Sequence, residues 1–226
     1  MIYGILDGDL ITKPYTMEPR MVFVMTKLGK VVPPKITQMR AILAQSIKPY
    51  EYGLIDAGSK TTGGDFLAKI WGIIISLPCG VALISEELRT NTKLNIFYEI
   101  GLMQAIGKET LIIKTTKSKV PSDFVRTEYI DFDGDEADLE KRIQSYMTHL
   151  TEKVDYYTQI ADNLGNNPFG RIDYLRRAYL LSGNKKLLLS AEETAHTVYT
   201  TLVESKIVSA RSREGTWAAL GISPVE

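Results

Sequence analysis

The chain has 226 residues, 44% hydrophobic and 24% charged, with lysine plus arginine and aspartate plus glutamate both at 27. That composition is expected of a soluble globular protein, and the balanced charge excludes a global field drawing the chain to nucleic acid or a membrane. The single cysteine, Cys79, excludes an internal disulfide framework and a multi-cysteine zinc site, and suits a reducing compartment.

Residues before Arg20 carry too little pattern to place. Met1 to Asp9 lacks the basic residues and cleavage site of a signal peptide, so a cytoplasmic location is expected. Met21 to Thr26 reads as a buried strand, and Lys35 to Ile47 as a helix opened by Pro33 and Pro34. A second strand is expected over Tyr52 to Asp56. Asp65 to Leu77 reads as a helix, preceded by Gly63 and Gly64 and ended by Pro78. Gly80 to Ser85 is the third strand. The apolar run Ile70 to Ile84 is broken by Pro78, Cys79 and Gly80, so it reads as helix then strand and not as a membrane span.

Asn95 reads as the N-cap of the next helix and Gly107 as its stop. Glu99 then falls in the first turn, among Ile96, Ile100, Leu102, Met103 and Ile106. Thr110 to Thr115 and Glu128 to Phe132 complete five strands. Apolar strands separated by helices call for a parallel sheet covered on both faces. The expected fold is therefore α/β, a five-stranded parallel, flavodoxin-like three-layer sandwich with a helical C-terminal extension. Its domains are residues 1–134 and 135–226. The extension holds a long helix over Asp135 to Leu164, shorter ones near Ile172 to Leu181 and Ser190 to Glu204, and a small hairpin or plain tail over Ile207 to Trp217.

Ligands of such sheets bind outside the carboxyl ends of the strands, near the reversal of strand order. Lys27 to Lys30, Asp56 to Ser59, Glu86 with Glu87, Lys114 to Lys117 and the start of the Asn95 helix all fall there. A carboxylate on the apolar side of a helix is costly unless hydrogen-bonded or working, which makes Glu99 the leading candidate for chemistry. It alternatively complements the helix dipole.

Four segments then recur in the order of a known pattern: Asp65-Phe-Leu-Ala-Lys-Ile-Trp71, Cys79-Gly-Val-Ala-Leu-Ile-Ser85, Asn95-Ile-Phe-Tyr-Glu-Ile-Gly101 and Ala105-Ile-Gly-Lys108. They resemble the bacterial Toll/interleukin-receptor-like (TIR-like) proteins and the nucleoside 2-deoxyribosyltransferase-like superfamily, over roughly Arg20 to Asp133. The resemblance implies cleavage of a nucleosidic C1′–N bond, with Glu99 attacking C1′ or stabilising its positive charge. Asn95 and Tyr98 stand where the transferases more typically carry a glycine-led entry, and an aspartate-rich loop typical of transferases is absent. Both features favour the TIR-like branch, an NAD nucleosidase acting as a bacterial defence effector. NAD is then substrate, with no cofactor or metal implied. The alternatives are a nucleoside 2-deoxyribosyltransferase or nucleotide N-glycosidase, and a non-catalytic nucleotide-sensing scaffold.

The remaining candidates each carry two readings. Tyr98 stacks on a base or donates to a ribose hydroxyl, or is a core tyrosine. Asn95 is an N-cap with an added substrate role. Asp65 is an N-cap or a ribose acceptor, and Asp56 is a ribose-diol acceptor or a turn residue. Lys27 and Gly29 offer a cation and close backbone approach to a pyrophosphate, or Lys27 is simply a solvated loop lysine. Cys79 reads as core, and Glu86 with Glu87 as an exposed loop or a second carboxylate. The basic residues of the extension, among them Arg171, Arg176, Arg177 and Arg211, suggest homo-oligomer or partner-protein docking, or else a winged-helix-like nucleic-acid module.

Overall fold

The structure is a computed structural model that describes residues 2–4, 8–29, 31–58, 66–121, 124, 128–204 and 210–222. Contacts divide the chain into two compact units. One is Arg20–His149; the other joins Met1–Pro19 to Leu150–Glu226. The dividing line thus runs inside the long helix, not ahead of it at residue 134.

In the first unit, β1 (Met21–Met25), β2 (Gly53–Ile55), β3 (Cys79–Ile84), β4 (Glu109–Thr115) and β5 (Glu128–Phe132) form one sheet in the order β2-β1-β3-β4-β5, parallel throughout. This is the α/β, flavodoxin-like arrangement expected. Every residue of β3 is buried, because the strand has a neighbour on each side and helices over both faces. The connections are α1 (Pro34–Ile47), α2 (Phe66–Ser76) and α3 (Thr90–Ala105), and α4 (Glu136–Asn163) follows β5. Right-handed crossovers put α1 on one face and α2 with α3 on the other. α4 shares the face of α1: Gln38 donates to Glu136 at 2.6 Å, and the Tyr50 hydroxyl to the Gln144 carbonyl at 3.1 Å. That face is filled by Ile36, Met39, Leu43 and Ile47 from α1, with Leu139, Ile143 and Met147 from α4.

The other face is filled by Ile70, Ile73 and Ile74 of α2 and Ile96, Ile100 and Met103 of α3. Here Gly80 sets how closely α3 approaches. A Cβ on Gly80 would lie 2.4 Å from the Met103 Sδ and 2.8 Å from the Met25 Cε. By strand alternation Gly80, Ala82 and Ile84 face α3, while Cys79, Val81 and Leu83 face α1. α3 ends in a Schellman turn: the Gly107 N–H donates to Gln104 O at 2.9 Å and that of Lys108 to Met103 O at 3.0 Å, with Gly107 at φ 71°. The buried Lys108 ammonium then donates to Leu77 O at 2.7 Å, satisfying a carbonyl just past α2.

Two expectations fail. α3 begins at Thr90, so Asn95 lies inside the helix and Glu99 in its third turn, not its first. The opening residues Thr90, Asn91 and Thr92 are poor helix formers that read as loop. Arg89 supplies no side-chain cap. The other failure is the terminal segment. Residues 207–209 lie outside the described residues, and Ala210–Ala219 forms a helix, α7, where a hairpin or tail was expected.

The second unit builds its own core. α5 (Pro168–Ser182), α6 (Lys185–Glu204) and α7 bury Ile172, Leu175, Ala191, Ala195, Trp217 and Leu220 together with Ala161 of α4. Asn167 caps α5, its side chain accepting from the Gly170 N–H at 3.0 Å. The segment before Arg20 belongs to this unit. Leu10 lies over Gly215, where a Cβ would meet its Cδ2 at 2.5 Å. The buried Arg176 guanidinium donates to Ala219 O at 2.8 Å and to the Tyr15 hydroxyl at 2.9 Å. Among the described residues no helix is long and apolar enough to cross a membrane.

The closeness of Gly80 and Met103 gives a first prediction. Gly80→Ala will cost about 1–3 kcal/mol by overpacking, and less than half of that in a Met103→Ala background. Urea unfolding of the four proteins of the cycle measures it; equal costs in both backgrounds would refute the contact.

Candidate active site

Glu99 stands on the border between two stripes of α3. At 100° per residue, Ile96, Ile100 and Met103 form the buried stripe, while Asn95, Tyr98 and Leu102 form the adjoining one. Asn95 is exposed and Tyr98 is 50% exposed, so the carboxylate borders solvent on one flank and core on the other. α2 packs against α3. Burial pushes the Glu99 carboxyl up to about 7, and no hydrogen bond or charge from a described residue offsets it. A group ionising there changes charge within the physiological range. That is the property asked of a working carboxylate, and it is a cost in a structural one.

The helix register fixes its height. Met103 lies at Gly80, and Glu99 is one turn nearer the carboxyl edge, about 6 Å along the axis. It is therefore level with the middle of the sheet. The edge itself carries the other candidates. Lys27 is half-buried in the turn after β1, and Gly29, at φ 105°, is exposed beside it. Asp56 follows β2, but its oxygens are engaged: Oδ2 accepts from the Arg40 guanidinium at 2.6 Å and Oδ1 from the Gly58 N–H at 2.9 Å. Its geometry is that of an Asx turn pinned to α1. Asp65 lies outside the described residues. The structure thus groups Glu99 with Asn95 and Tyr98 on α3, and sets Lys27, Gly29 and Asp56 along the carboxyl edge.

One edge group was under-read from sequence. Glu86, directly past β3, accepts from the Lys35 ammonium at 3.0 Å through Oε1 and from the Thr115 hydroxyl through Oε2. Thr115 shares a 2.9 Å hydrogen bond with Ser118. Since a carboxylate only accepts, Thr115 donates to Glu86 and Ser118 donates to Thr115. The Thr115 hydroxyl, then the residue's own backbone N–H, then Lys35 hold Glu86 down at about 2. Thr115 and Ser118 are themselves buried. The signal was present: an acidic pair directly after an all-apolar strand. Beside it the Thr26 hydroxyl donates to Leu83 O at 3.2 Å, and the fully buried Ser85 Oγ has no hydrogen-bond partner among the described residues. Among the described residues no group of three His, Cys, Asp or Glu side chains is placed to hold a metal ion.

Four arginines of the second unit are used within it, Arg176 as described above and three more. Arg171 pairs with Asp162 at 3.3 Å, Arg177 with Asp173 at 2.8 Å and Arg211 with Asp9 at 3.2 Å. No protein-family model, curated protein or solved structure matches the chain.

The raised Glu99 carboxyl links stability to pH. The unfolded chain releases this proton near about 4.3, the folded protein near about 7. Between those values the folded state holds the extra proton, so stability falls as pH rises through the window, and the loss is complete above it. Glu99→Gln will exceed wild type by about 1–2 kcal/mol at pH 8, partial solvent screening included. The two will be level at pH 4. Denaturant midpoints at both pH values test this; a pH-independent difference counts against it.

Proposed function

We propose that the Arg20–His149 unit cleaves the bond between nicotinamide and ribose in NAD, with Glu99 as the carboxylate at C1′. The observation that carries the reading is Glu99 itself: half-buried, shifted to about 7 by burial, with no described partner, and flanked by exposed Asn95 and Tyr98. The run from Asn95 to Gly101 is also one of the four segments resembling the TIR-like and deoxyribosyltransferase-like proteins.

The chemistry asks little of the protein. The C1′–N bond breaks with its electron pair going to the ring nitrogen, so the pyridinium leaves as neutral nicotinamide without an acid. Positive charge develops at C1′, and an adjacent carboxylate stabilises it or bonds to it. Water then adds at C1′ and loses a proton, giving ADP-ribose, nicotinamide and H⁺. A carboxylate desolvated in the free protein interacts more strongly with a cationic ring than a fully hydrated one does. Substrate binding would therefore favour the ionised form of Glu99. Engagement of Arg171, Arg176, Arg177 and Arg211 within the second unit favours assembly or partner docking over nucleic-acid binding as its role.

The test is a mass-spectrometric time course of concentrated full-length protein with NAD, beside Glu99→Gln. Nicotinamide and ADP-ribose, or its cyclic form, will accumulate with wild type only. kcat/KM will rise with pH and level off above about 7, as the free carboxyl ionises. Near-native turnover by Glu99→Gln would remove Glu99 from the chemistry. Base exchange between a deoxynucleoside and a free purine, without NAD cleavage, would replace the hydrolase with a deoxyribosyltransferase. Tight NAD binding without turnover would replace it with a sensor.

A further inference from the structure

The second unit holds a cavity that the chemistry of the α/β unit does not use. Its volume is about 290 Å³, and its walls include Tyr15 and Met17 ahead of β1, Tyr179 of α5, Leu188 of α6, and Leu220 just past α7. All of these belong to the one compact unit. An apolar cavity of about 150 Å³ holds benzene. The space here therefore admits a single ring that carries a polar substituent. Met17, Leu188 and Leu220 give that ring apolar walls.

Two phenols set the polarity of the cavity. Tyr179 is 9% exposed, yet its hydroxyl has no hydrogen-bond partner among the described residues. A buried tyrosine hydroxyl ordinarily finds one. Nor is this oxygen sealed off, as the Ser85 oxygen is, so the small part of Tyr179 still open includes its hydroxyl. Tyr15 is the second phenol. Its hydroxyl accepts from the Arg176 guanidinium at 2.9 Å, which leaves its own proton to donate. The acceptor for that proton within the protein, Ala219 O, is 3.5 Å away and already takes the Arg176 Nε–H at 2.8 Å. At that length the bond is weak. Burial pushes the Tyr15 phenol up, so it keeps its proton, and Arg176 acts on it more strongly than the opposing charge of Asp173. The Tyr15 hydroxyl is thus a donor in a positive field.

We propose that this cavity binds a small aromatic carboxylate, its ring against Met17, Leu188 and Leu220 and its oxygens accepting from the Tyr15 and Tyr179 hydroxyls. A carboxylate only accepts, which suits two donors that lack a good acceptor of their own. Hydrogen bonds from a hydroxyl to a charged oxygen are roughly twice as strong as neutral ones. Arg176, bonded to Tyr15, adds its positive charge. A neutral ring gains chiefly the apolar contact, and a cation meets Arg176. The walls come from the segment ahead of β1 and from helices after Leu150, so an occupant ties the start of the chain to its end. The site is independent of the reaction proposed for the α/β unit.

The test titrates the full chain with benzoate and with benzamide, which share a ring and differ in charge. Calorimetry reads the affinities, and the NMR shift of the Met17 methyl reads the place of binding. Benzoate will bind about tenfold more tightly than benzamide and will shift Met17. Tyr179→Phe keeps the ring and removes one donor. It will weaken benzoate about tenfold, weaken benzamide less, and leave the thermal midpoint unchanged, because that hydroxyl has no partner among the described residues. Leu188→Trp will fill the space and abolish binding of both probes; should it disturb the packing of α6, Tyr179→Phe decides alone. Equal affinities for the two probes overturn the assignment, as does a benzoate affinity that Tyr179→Phe leaves unchanged. Binding that leaves Met17 unmoved lies elsewhere and overturns it too. So does the absence of benzoate binding at millimolar concentration.

Discussion

Burial of β3 on both faces is the constraint from which the rest of the α/β unit follows. A parallel strand with neighbours on both sides and helices over both faces disfavours charge along its middle, and Cys79–Ile84 holds none. Polar groups of the central strands are pushed to their ends. At the amino end Lys108 spends its ammonium on a backbone carbonyl. At the carboxyl end Thr26, Glu86, Thr115 and Ser118 bond to one another or to the strand backbone. The edge becomes the polar surface because the middle cannot be.

Against that background the two carboxylates of the β3–α3 connection are opposites. Glu86 has donors on both oxygens and stays ionised well into acid. Glu99 has desolvation and nothing described to balance it, so its proton is held to about 7. The difference comes from position on a single connection. The second residue past a strand sits among the hydroxyls and cations of the edge; a residue three turns into a helix sits among isoleucines and methionines. Environments that push two acids apart are a common basis for dividing labour between them.

Much of the α/β unit was legible in the sequence because its signals are local. All-apolar strand runs, Pro33 with Pro34, and the Gly107 stop each report on a few residues. That the sheet is parallel followed from the alternation of strand and helix. What was not legible was where α3 begins. Thr90, Asn91 and Thr92 have the composition of a loop, and Asn95 makes a better N-cap by residue type than Arg89 does. Packing of Ile96, Ile100 and Met103 on the sheet stabilises the whole helix, and a weak start is carried with it. Glu99 was found for its apolar neighbours, although its turn was misplaced. The engagement of Asp56 by Arg40 and of Glu86 by Thr115 depends on which strands adjoin, and no spacing in the sequence encodes that. The residues before Arg20 were silent for the same reason, since their partners lie near the other end of the chain.

That last pairing bears on the order in which the protein can be built. Tyr15 and Ala219 are separated by 204 positions. The α/β unit is a compact, continuous stretch, Arg20–His149, that leaves the ribosome before α5, α6 and α7 are made. Tyr15 must instead wait for Ala219, 204 positions later in the chain. The entropy of closing so long a loop grows only logarithmically, each doubling adding about 0.6 kcal/mol, so the delay is a matter of time more than of energy. Until α7 arrives, Leu10 and Tyr15 have no Gly215 or Ala219 to cover.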